Sequence, residues 1–308
     1  MGRGSSKPAG FRDIDGILLL DKPKGISSNQ ALQKARGLFK ANKAGHTGSL
    51  DPLATGMLPI CFGEATKFSA YLLDASKSYR SVCRLGQTTT TGDAEGELTS
   101  ESNVNVSVAD IVAVLTQFTG VIEQIPPMHS AIKVKGQRLY KLARKGREVE
   151  RVARRIEIFQ LDLVELNQAQ LVIDVRCSKG TYIRTLGEDI GKALGCGAYL
   201  TDLRRTGVHP FWQQRSYTLE EIEGLAETLE NAAEEILLPV KAALSDLPEM
   251  IVDSLATENL KQGRVIQNDS TMPSGLLNLV SENGQFIGIG EATHDGRILP
   301  KRLMNTAR

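Results

Sequence analysis

The sequence predicts a protein of mixed helices and strands with a separate β-rich module at its C-terminal end. Three observations carry that expectation. Segments such as "SYRSVCRLG" (78–86) and "QLVIDVRC" (170–177) alternate apolar and polar residues with the period of two that marks a half-buried strand. "SSNQALQKARGLF" (27–39) instead repeats its apolar residues at helical spacing. Beyond about residue 250, short apolar runs are separated by Asn283–Gly284 and Asp295–Gly296, the strongest short-range hairpin signals.

Taken in order, "DGILLLDKPKG" (15–25) reads as a buried strand ending at a Lys–Pro turn. A serine-capped helix follows at 27–39, with Leu32, Ala35 and Leu38 on its apolar side. "AGHTGSLDPLATG" (44–56) sets glycines and a histidine around one carboxylate. On local rules Asp51 reads as an N-cap and Pro52 as the first helical residue, with Leu53, Ala54 and Met57 on the first turns. That reading and a catalytic one do not exclude each other. A helix-like stretch near 64–73 precedes the strand at 78–86. The polar segment 88–103 reads as a loop. Its Asp93, Glu95 and Glu97 are spaced like half an EF-hand, but the glycine and the terminal Glu are out of register, which excludes calcium.

A helix over about 107–118 leads to "QIPPMHSAIKVKG", where two prolines enforce extended chain. In 170–184, Ile173, Val175 and Cys177 face one way and Asp174, Arg176 and Ser178 the other. Gly180 turns the chain, and Ile183, Leu186, Ile190 and Leu194 mark a helix stopped by Gly195. "GEDIGKA" within it is one residue short of a Walker loop and has Ala193 where Ser or Thr is needed, so no nucleoside triphosphate site is expected. An acidic helical stretch covers about 218–244 and is broken by "SDLPEM". A short helix near 253–262 precedes the hairpins.

The 308 residues suffice for one large or two ordinary domains, and 41% hydrophobic with 24% charged residues is a globular composition. No apolar run approaches membrane-spanning length, and residues 1–10 lack a signal-peptide pattern and read as a loose tail. Cys61, Cys83, Cys177 and Cys196 are scattered and the four histidines lie far apart. Neither a metal site nor a disulfide scaffold is therefore expected, and a cytoplasmic location fits. The net charge of +1 hides an asymmetry: 133–155 holds ten Lys/Arg against two acidic residues, a local net charge of +8, while 216–240 holds seven Glu and no Lys or Arg. A solvated helix face would also account for the basic block, but such a density attracts a phosphate backbone and makes nucleic acid the leading partner.

At this point the motifs cease to be independent. "GILLLDKPKGISS", "GHTGSLDPLATGMLPICFGEATKF", "KSYRSVCRLGQTTTTGD", "IPPMHSAIKVKGQRLYKLARKG" and "CSKGTYIRTLGEDIG" occur in one order and together closely resemble the TruB family of tRNA pseudouridine-55 synthases. The likeness is strong over about 14–215, looser across the acidic stretch and moderate beyond it. It implies an α+β catalytic domain over 11–249, built on a mixed, largely antiparallel sheet with a central cleft and carrying a basic RNA-clamping insert at about 125–155. It also implies a PUA-like RNA-binding domain over 250–308. The implied reaction turns uridine 55 of the tRNA T-loop into pseudouridine after flipping the base out. It breaks C1′–N1 and joins C1′ to C5 with nothing oxidised or lost, so no cofactor is expected.

By the same resemblance, Asp51 is the catalytic carboxylate, Arg184 its paired arginine, and Tyr79 stacks on the base and takes part in proton removal from C5. An arginine beside it would hold an aspartate pKa down. His46 fills the space the base vacates, Lys22 supports the cleft, and Tyr182 and Leu203 line the uracil pocket. Asp93 lies in a family motif with no role attached. Lys133, Lys141, Arg144 and Arg147 would clamp the tRNA backbone near the elbow. A stand-alone monomer without an obligate protein or membrane partner is expected, since the basic insert and short tail set it apart from guide-RNA-dependent relatives. The competing reading is a tRNA-binding folding chaperone whose modification activity is secondary.

Overall fold

The structure, a computed structural model, describes residues 10–130, 132–134, 136–143, 146–147, 149–228, 232–267 and 273–305. Its centre is an eight-stranded sheet. Across the sheet the strands run Gly16–Lys22, Thr55–Phe62, Ala198–Val208, Lys77–Leu85, Gln170–Cys177, Arg154–Asn167 and Gly120–Gln124, with Ala44–His46 also paired to Thr55–Phe62. Every pairing is antiparallel except that of Ala198–Val208 with Thr55–Phe62. The fold is therefore α+β on a mixed, largely antiparallel sheet.

The strand Gly16–Lys22 is apolar over its first five residues because both of its faces are covered. Leu18 and Leu20 pack with Ala31, Leu32 and Ala35 of the helix Ser28–Leu38, while Ile17 and Leu19 pack with Met57, Phe68 and Leu72. Lys77–Leu85 and Gln170–Cys177 alternate because only one face is buried. There Tyr79, Cys83, Ile173 and Val175 meet Ile183, Leu186 and Ile190 of the helix Ile183–Ala193. Ser27 caps the first helix in a capping box with Gln30, and Ser107 does the same with Asp110 for Val108–Gln117. All four cysteines are free and buried. No helix among the described residues is long and apolar enough to cross a membrane.

Three local expectations fail, each to a tertiary demand. Asp51 opens no helix: Ala54 N–H donates to the Asp51 carbonyl at 3.0 Å in a turn, and the chain enters Thr55–Phe62 directly. Leu53 and Ala54 are buried in the main core, and the next strand pairs on both sides, so sheet formation outweighs the Asp–Pro helix signal. The acidic stretch is not one helix but Leu219–Thr228 and two 3₁₀ turns, Ala232–Ile236 and Val240–Leu244. Leu238 interrupts it because its backbone exchanges two 2.9 Å hydrogen bonds with Ile17. The polar segment after residue 86 forms a small strand pair, Gln87–Thr89 with Leu98–Glu101.

The C-terminal part is β-rich: a five-stranded sheet ordered Glu249–Val252, Gly275–Ser281, Phe286–Ala292, Arg297–Leu303 and Ile266–Gln267. Both hairpins turn at the Asn–Gly and Asp–Gly pairs, with Gly284 at φ 80° and Gly296 at φ 78°. This sheet is docked firmly on the larger unit. Phe286, Ile289 and Met304 join the core around Phe68 and Leu72, Lys67 Nζ donates to the Leu303 carbonyl at 3.0 Å, and Asn278 Nδ2 donates to the Leu244 carbonyl at 2.9 Å.

Candidate active site

The Asp51 turn is fastened before any side-chain chemistry is considered. Leu50 N–H donates to Ser28 Oγ at 2.7 Å and Ser28 Oγ donates to the Leu50 carbonyl at 3.0 Å, tying the turn to the first helix. Gly25 N–H donates to the Pro52 carbonyl at 2.8 Å. Gly48 takes φ 76°, a left-handed conformation that suits glycine, and its carbonyl accepts from Arg205 Nη2 at 3.1 Å. The Asp51 carboxylate is left half-exposed, with 47% of its side chain accessible, above an arginine that is only 7% accessible.

That arginine is Arg184, the second residue of the helix Ile183–Ala193. A cation so near a helix N-terminus opposes the dipole, and here it is compensated four times. Nη2 lies 3.1 Å from Asp51 Oδ2 and donates to the His129 carbonyl at 2.8 Å. Nη1 lies 3.1 Å from Asp93 Oδ2 and donates to the Thr91 carbonyl at 3.2 Å. Asp93 is itself buried, and its Oδ1 accepts from Thr91 Oγ1 at 2.5 Å and from Glu95 N–H at 3.1 Å. Two carboxylates thus share one guanidinium, one fixed in the interior and one facing outward. Seating in the site pushes the Asp51 carboxyl above the ordinary aspartate range, with Asp93 adding to the rise; Arg184 pulls the other way without cancelling it. The expectation of a depressed pKa is corrected accordingly: desolvation by the residues packed around the half-exposed carboxylate outweighs the arginine.

Lys22 is fully buried and donates to the carbonyls of Pro23 at 2.8 Å and Ile26 at 2.7 Å. It therefore supports the turn before the first helix, and burial lowers its pKa to about 8 against the pull of Asp51. Tyr79 is buried within Lys77–Leu85; burial raises its phenol pKa while Arg205 opposes the rise by charge and as a donor. Tyr182 precedes the Arg184 helix, where its backbone is clamped by Gln124: Tyr182 N–H donates to Oε1 at 2.8 Å and Gln124 Nε2 returns a bond to the Tyr182 carbonyl at 3.0 Å. Leu203 is buried in the same cluster as Leu50, Leu53 and Tyr79. His46 ends Ala44–His46, and burial followed by the nearby Arg205 charge lowers its pKa and favours a neutral ring.

Asp51, Arg184, Lys22 and Tyr182 therefore lie within one electrostatic neighbourhood, with Tyr79 reaching it from the sheet and His46 flanking it beside Arg205. Of the basic candidates, Arg147 is exposed; Arg144 and the side chains of Lys133 and Lys141 lie outside the described residues.

Two residues that sequence reasoning left without a role belong here. Asp93 holds the inner side of Arg184. Arg205, 1% exposed, donates from Nε to the Met57 carbonyl at 2.6 Å and from Nη2 to Gly48, joining the strand, the Asp51 turn and Tyr79. Its signal in the sequence was slight: "LRRTG" offers two adjacent arginines on a strand, of which alternation buries one and exposes the other.

The comparisons with known proteins agree with one another. Residues 36–183 match the N-terminal domain of the TruB family pseudouridylate synthases, 184–245 the tRNA pseudouridylate synthase B C-terminal domain, and 248–304 the C-terminal region of pseudouridine synthase II TruB. The chain is 53% identical over 296 residues to tRNA pseudouridine synthase B of Ectopseudomonas mendocina (strain ymp), covering 96% of this chain and 97% of that one. It is 52% identical, with the same coverage, to the protein of that name from Pseudomonas aeruginosa (strain UCBPP-PA14). In fold it resembles a chain of an H/ACA RNP bound to a substrate RNA containing 2′-deoxyuridine, at a TM-score of 0.73 and 22% identity over 95% of this chain and 86% of that one. A chain of a Cbf5–Nop10–Gar1 complex gives 0.72 and 23% over 94% and 84%. With the family domains in sequence along nearly its whole length, this chain belongs to the TruB family of pseudouridylate synthases.

Proposed function

We propose that this protein isomerises uridine 55 in the T-loop of tRNA to pseudouridine, with Asp51 as the carboxylate that does the chemistry. The observation that carries the reading is the shared guanidinium. Arg184 is anchored inside through Nη1 by Asp93 and the Thr91 carbonyl and through Nη2 by the His129 carbonyl, so Nη2 also holds an oxygen of the half-exposed Asp51 in one orientation. A carboxylate preset in this way needs little reorganisation when a ribosyl ring or base meets it.

The overall reaction needs no external reagent. The C1′–N1 bond breaks, C1′ joins C5, the C5 proton leaves and N1 gains a proton, so atoms and electrons balance within the nucleoside. The buried Tyr79 would stack on the base, and its phenol would take part in moving the C5 proton. Leu203 and Tyr182 would bound the uracil, and the neutral His46 would fill the place of the flipped base. The basic segment would hold phosphates, and the unit from about residue 250 onward would serve as a PUA-like RNA-binding domain acting beside the domain over 11–249. Names of relatives at 52–53% identity support tRNA as substrate.

The test is mass mapping of pseudouridine in a tRNA transcript incubated with purified protein and no added cofactor. Formation at position 55, lost in Asp51→Asn while tRNA binding persists, is the expected result. Turnover retained in Asp51→Asn would remove Asp51 from its role.

A further inference from the structure

On the face of the large sheet opposite Tyr79, three strands bring their side chains into one row. Arg84 of Lys77–Leu85 is in register with Gln170 on one neighbouring strand and with Tyr199 on the other. Residues at one register point to the same face of a sheet, and here that face is the solvent one, since Tyr79, Ser81, Cys83 and Leu85 take the buried side.

The other arginines of this face are engaged. Arg80 donates to both oxygens of Asp174, at 2.8 and 2.7 Å, and Arg204 to both oxygens of Asp21, at 3.0 and 2.6 Å. The Arg176 guanidinium lies 5.8 Å from the centre of the Phe159 ring. Arg84 differs: its guanidinium has no hydrogen-bond or ion-pair partner among the described residues. The row opens on a shallow, solvent-open groove of about 570 Å³ that also takes in Gln87, Asn167 and Thr201, and no Asp or Glu lines it. Its rim is a tight turn, with Asn167 paired to Gln170 and Gln168 at φ 52°.

We propose that this row is a second binding site, selective for a nucleoside monophosphate, either free or as one unpaired nucleotide of an RNA. The chemistry is complementary part by part. A free guanidinium fork suits phosphate oxygens, and the one carboxylate bonded to the lining residues, Glu101, lies outside the lining, held at 3.0 Å by Gln87 Nε2. The half-buried Tyr199 offers a ring face for a base, and the amides of Gln170 and Asn167 supply the donor and acceptor mixture that a base edge requires. The volume falls within the range of about 300–1,000 Å³ usual for small-molecule sites. The site lies across the sheet from Asp51 and stands whatever Asp51 does.

Calorimetric titration of the full chain with AMP, and separately with a short unpaired oligoadenylate, tests it. Arg84→Gln should weaken binding at least about tenfold and Tyr199→Leu about fivefold or more, with the melting temperature and pseudouridine formation unchanged. Asp51→Asn should leave the AMP affinity as it was, which separates this site from the active one. Binding of both ligands assigns a free nucleotide as sufficient; binding of the oligonucleotide alone, still lost in Arg84→Gln, assigns RNA. Failure of both ligands to bind, or affinities unaltered by Arg84→Gln, overturns the proposal and leaves Arg84 a solvated surface residue.

Discussion

Replacing Asp93 with Asn removes one negative charge from the site while keeping the side chain's size. The amide oxygen can still accept from Thr91 Oγ1 and Glu95 N–H, but the amide nitrogen then faces the Arg184 Nη1 donor that Asp93 now accepts from at 3.1 Å. A charge-assisted hydrogen bond is exchanged for a donor–donor contact, a loss of about 1.5–3 kcal/mol. If that orientation of Arg184 is needed in the transition state, kcat should fall by about one to two powers of ten, with tRNA affinity nearly unchanged. Stability should fall by about 3 kcal/mol, the low end for breaking a buried pair, because Asp51 and two carbonyls still face Arg184. The pH profile supplies the sharper check. Asp93 raises the Asp51 pKa, so its removal should move the acid limb of kcat/KM to lower pH even as the maximum falls. Single-turnover rates across an acidic pH series, with binding measured in parallel, would show both effects. A rate close to wild type, or an acid limb displaced upward, would refute the view that Asp93 acts on Asp51 through a shared arginine.

The remaining expectations concern the proposed basic clamp, the sheet and one buried lysine. Changing Lys141, Arg144 and Arg147 together to Ala should weaken binding to full-length tRNA and flatten its dependence on salt by about one unit of slope per lost phosphate contact; binding curves over a salt series with full tRNA and a T-arm stem-loop check this, and an unchanged slope would mean that the charges are only solvated. Gly56→Ala should cost about 3 kcal/mol or more, because Gly56 has φ 100° and an added Cβ would lie 2.2 Å from the Arg205 carbonyl oxygen; thermal unfolding measures it, and a shift near zero would mean that the strand yields there. Lys77 donates to the carbonyls of Leu72, Leu73 and Ala75, and burial lowers its pKa to about 8 from 10.5. Between those two values the unfolded chain binds the extra proton, so the stability of wild type relative to Lys77→Met should rise from pH 8 to pH 10; urea titrations of both proteins at the two pH values would show a constant or falling difference if Lys77 is not buried as a near-neutral amine.

What the sequence determined by itself was local in origin. The alternation of Lys77–Leu85 and Gln170–Cys177, the Ser27 cap and the two hairpins at Asn283–Gly284 and Asp295–Gly296 each depend on residues within a few positions of one another. The motif order added family membership, and with it the candidates Asp51, Tyr79 and Arg184. Tertiary structure alone decided what those residues experience. Arg184 meets Asp93 across 91 positions of sequence, and no periodicity reports a contact of that span. The Asp51 pKa moves up rather than down because loop seating and a second carboxylate, both products of folding, outweigh the arginine. Asp–Pro introduces a turn instead of a helix because Thr55–Phe62 finds partners on both sides, and the acidic stretch breaks because Leu238 pairs with Ile17. The long strand Arg154–Asn167, unmarked in the sequence because it begins inside the basic block, exists because Gly120–Gln124 and Gln170–Cys177 satisfy its two edges. At the Asp51 turn and in the acidic stretch, pairing between distant segments overrode a weaker local preference, and such pairings become visible only once the chain has closed on itself.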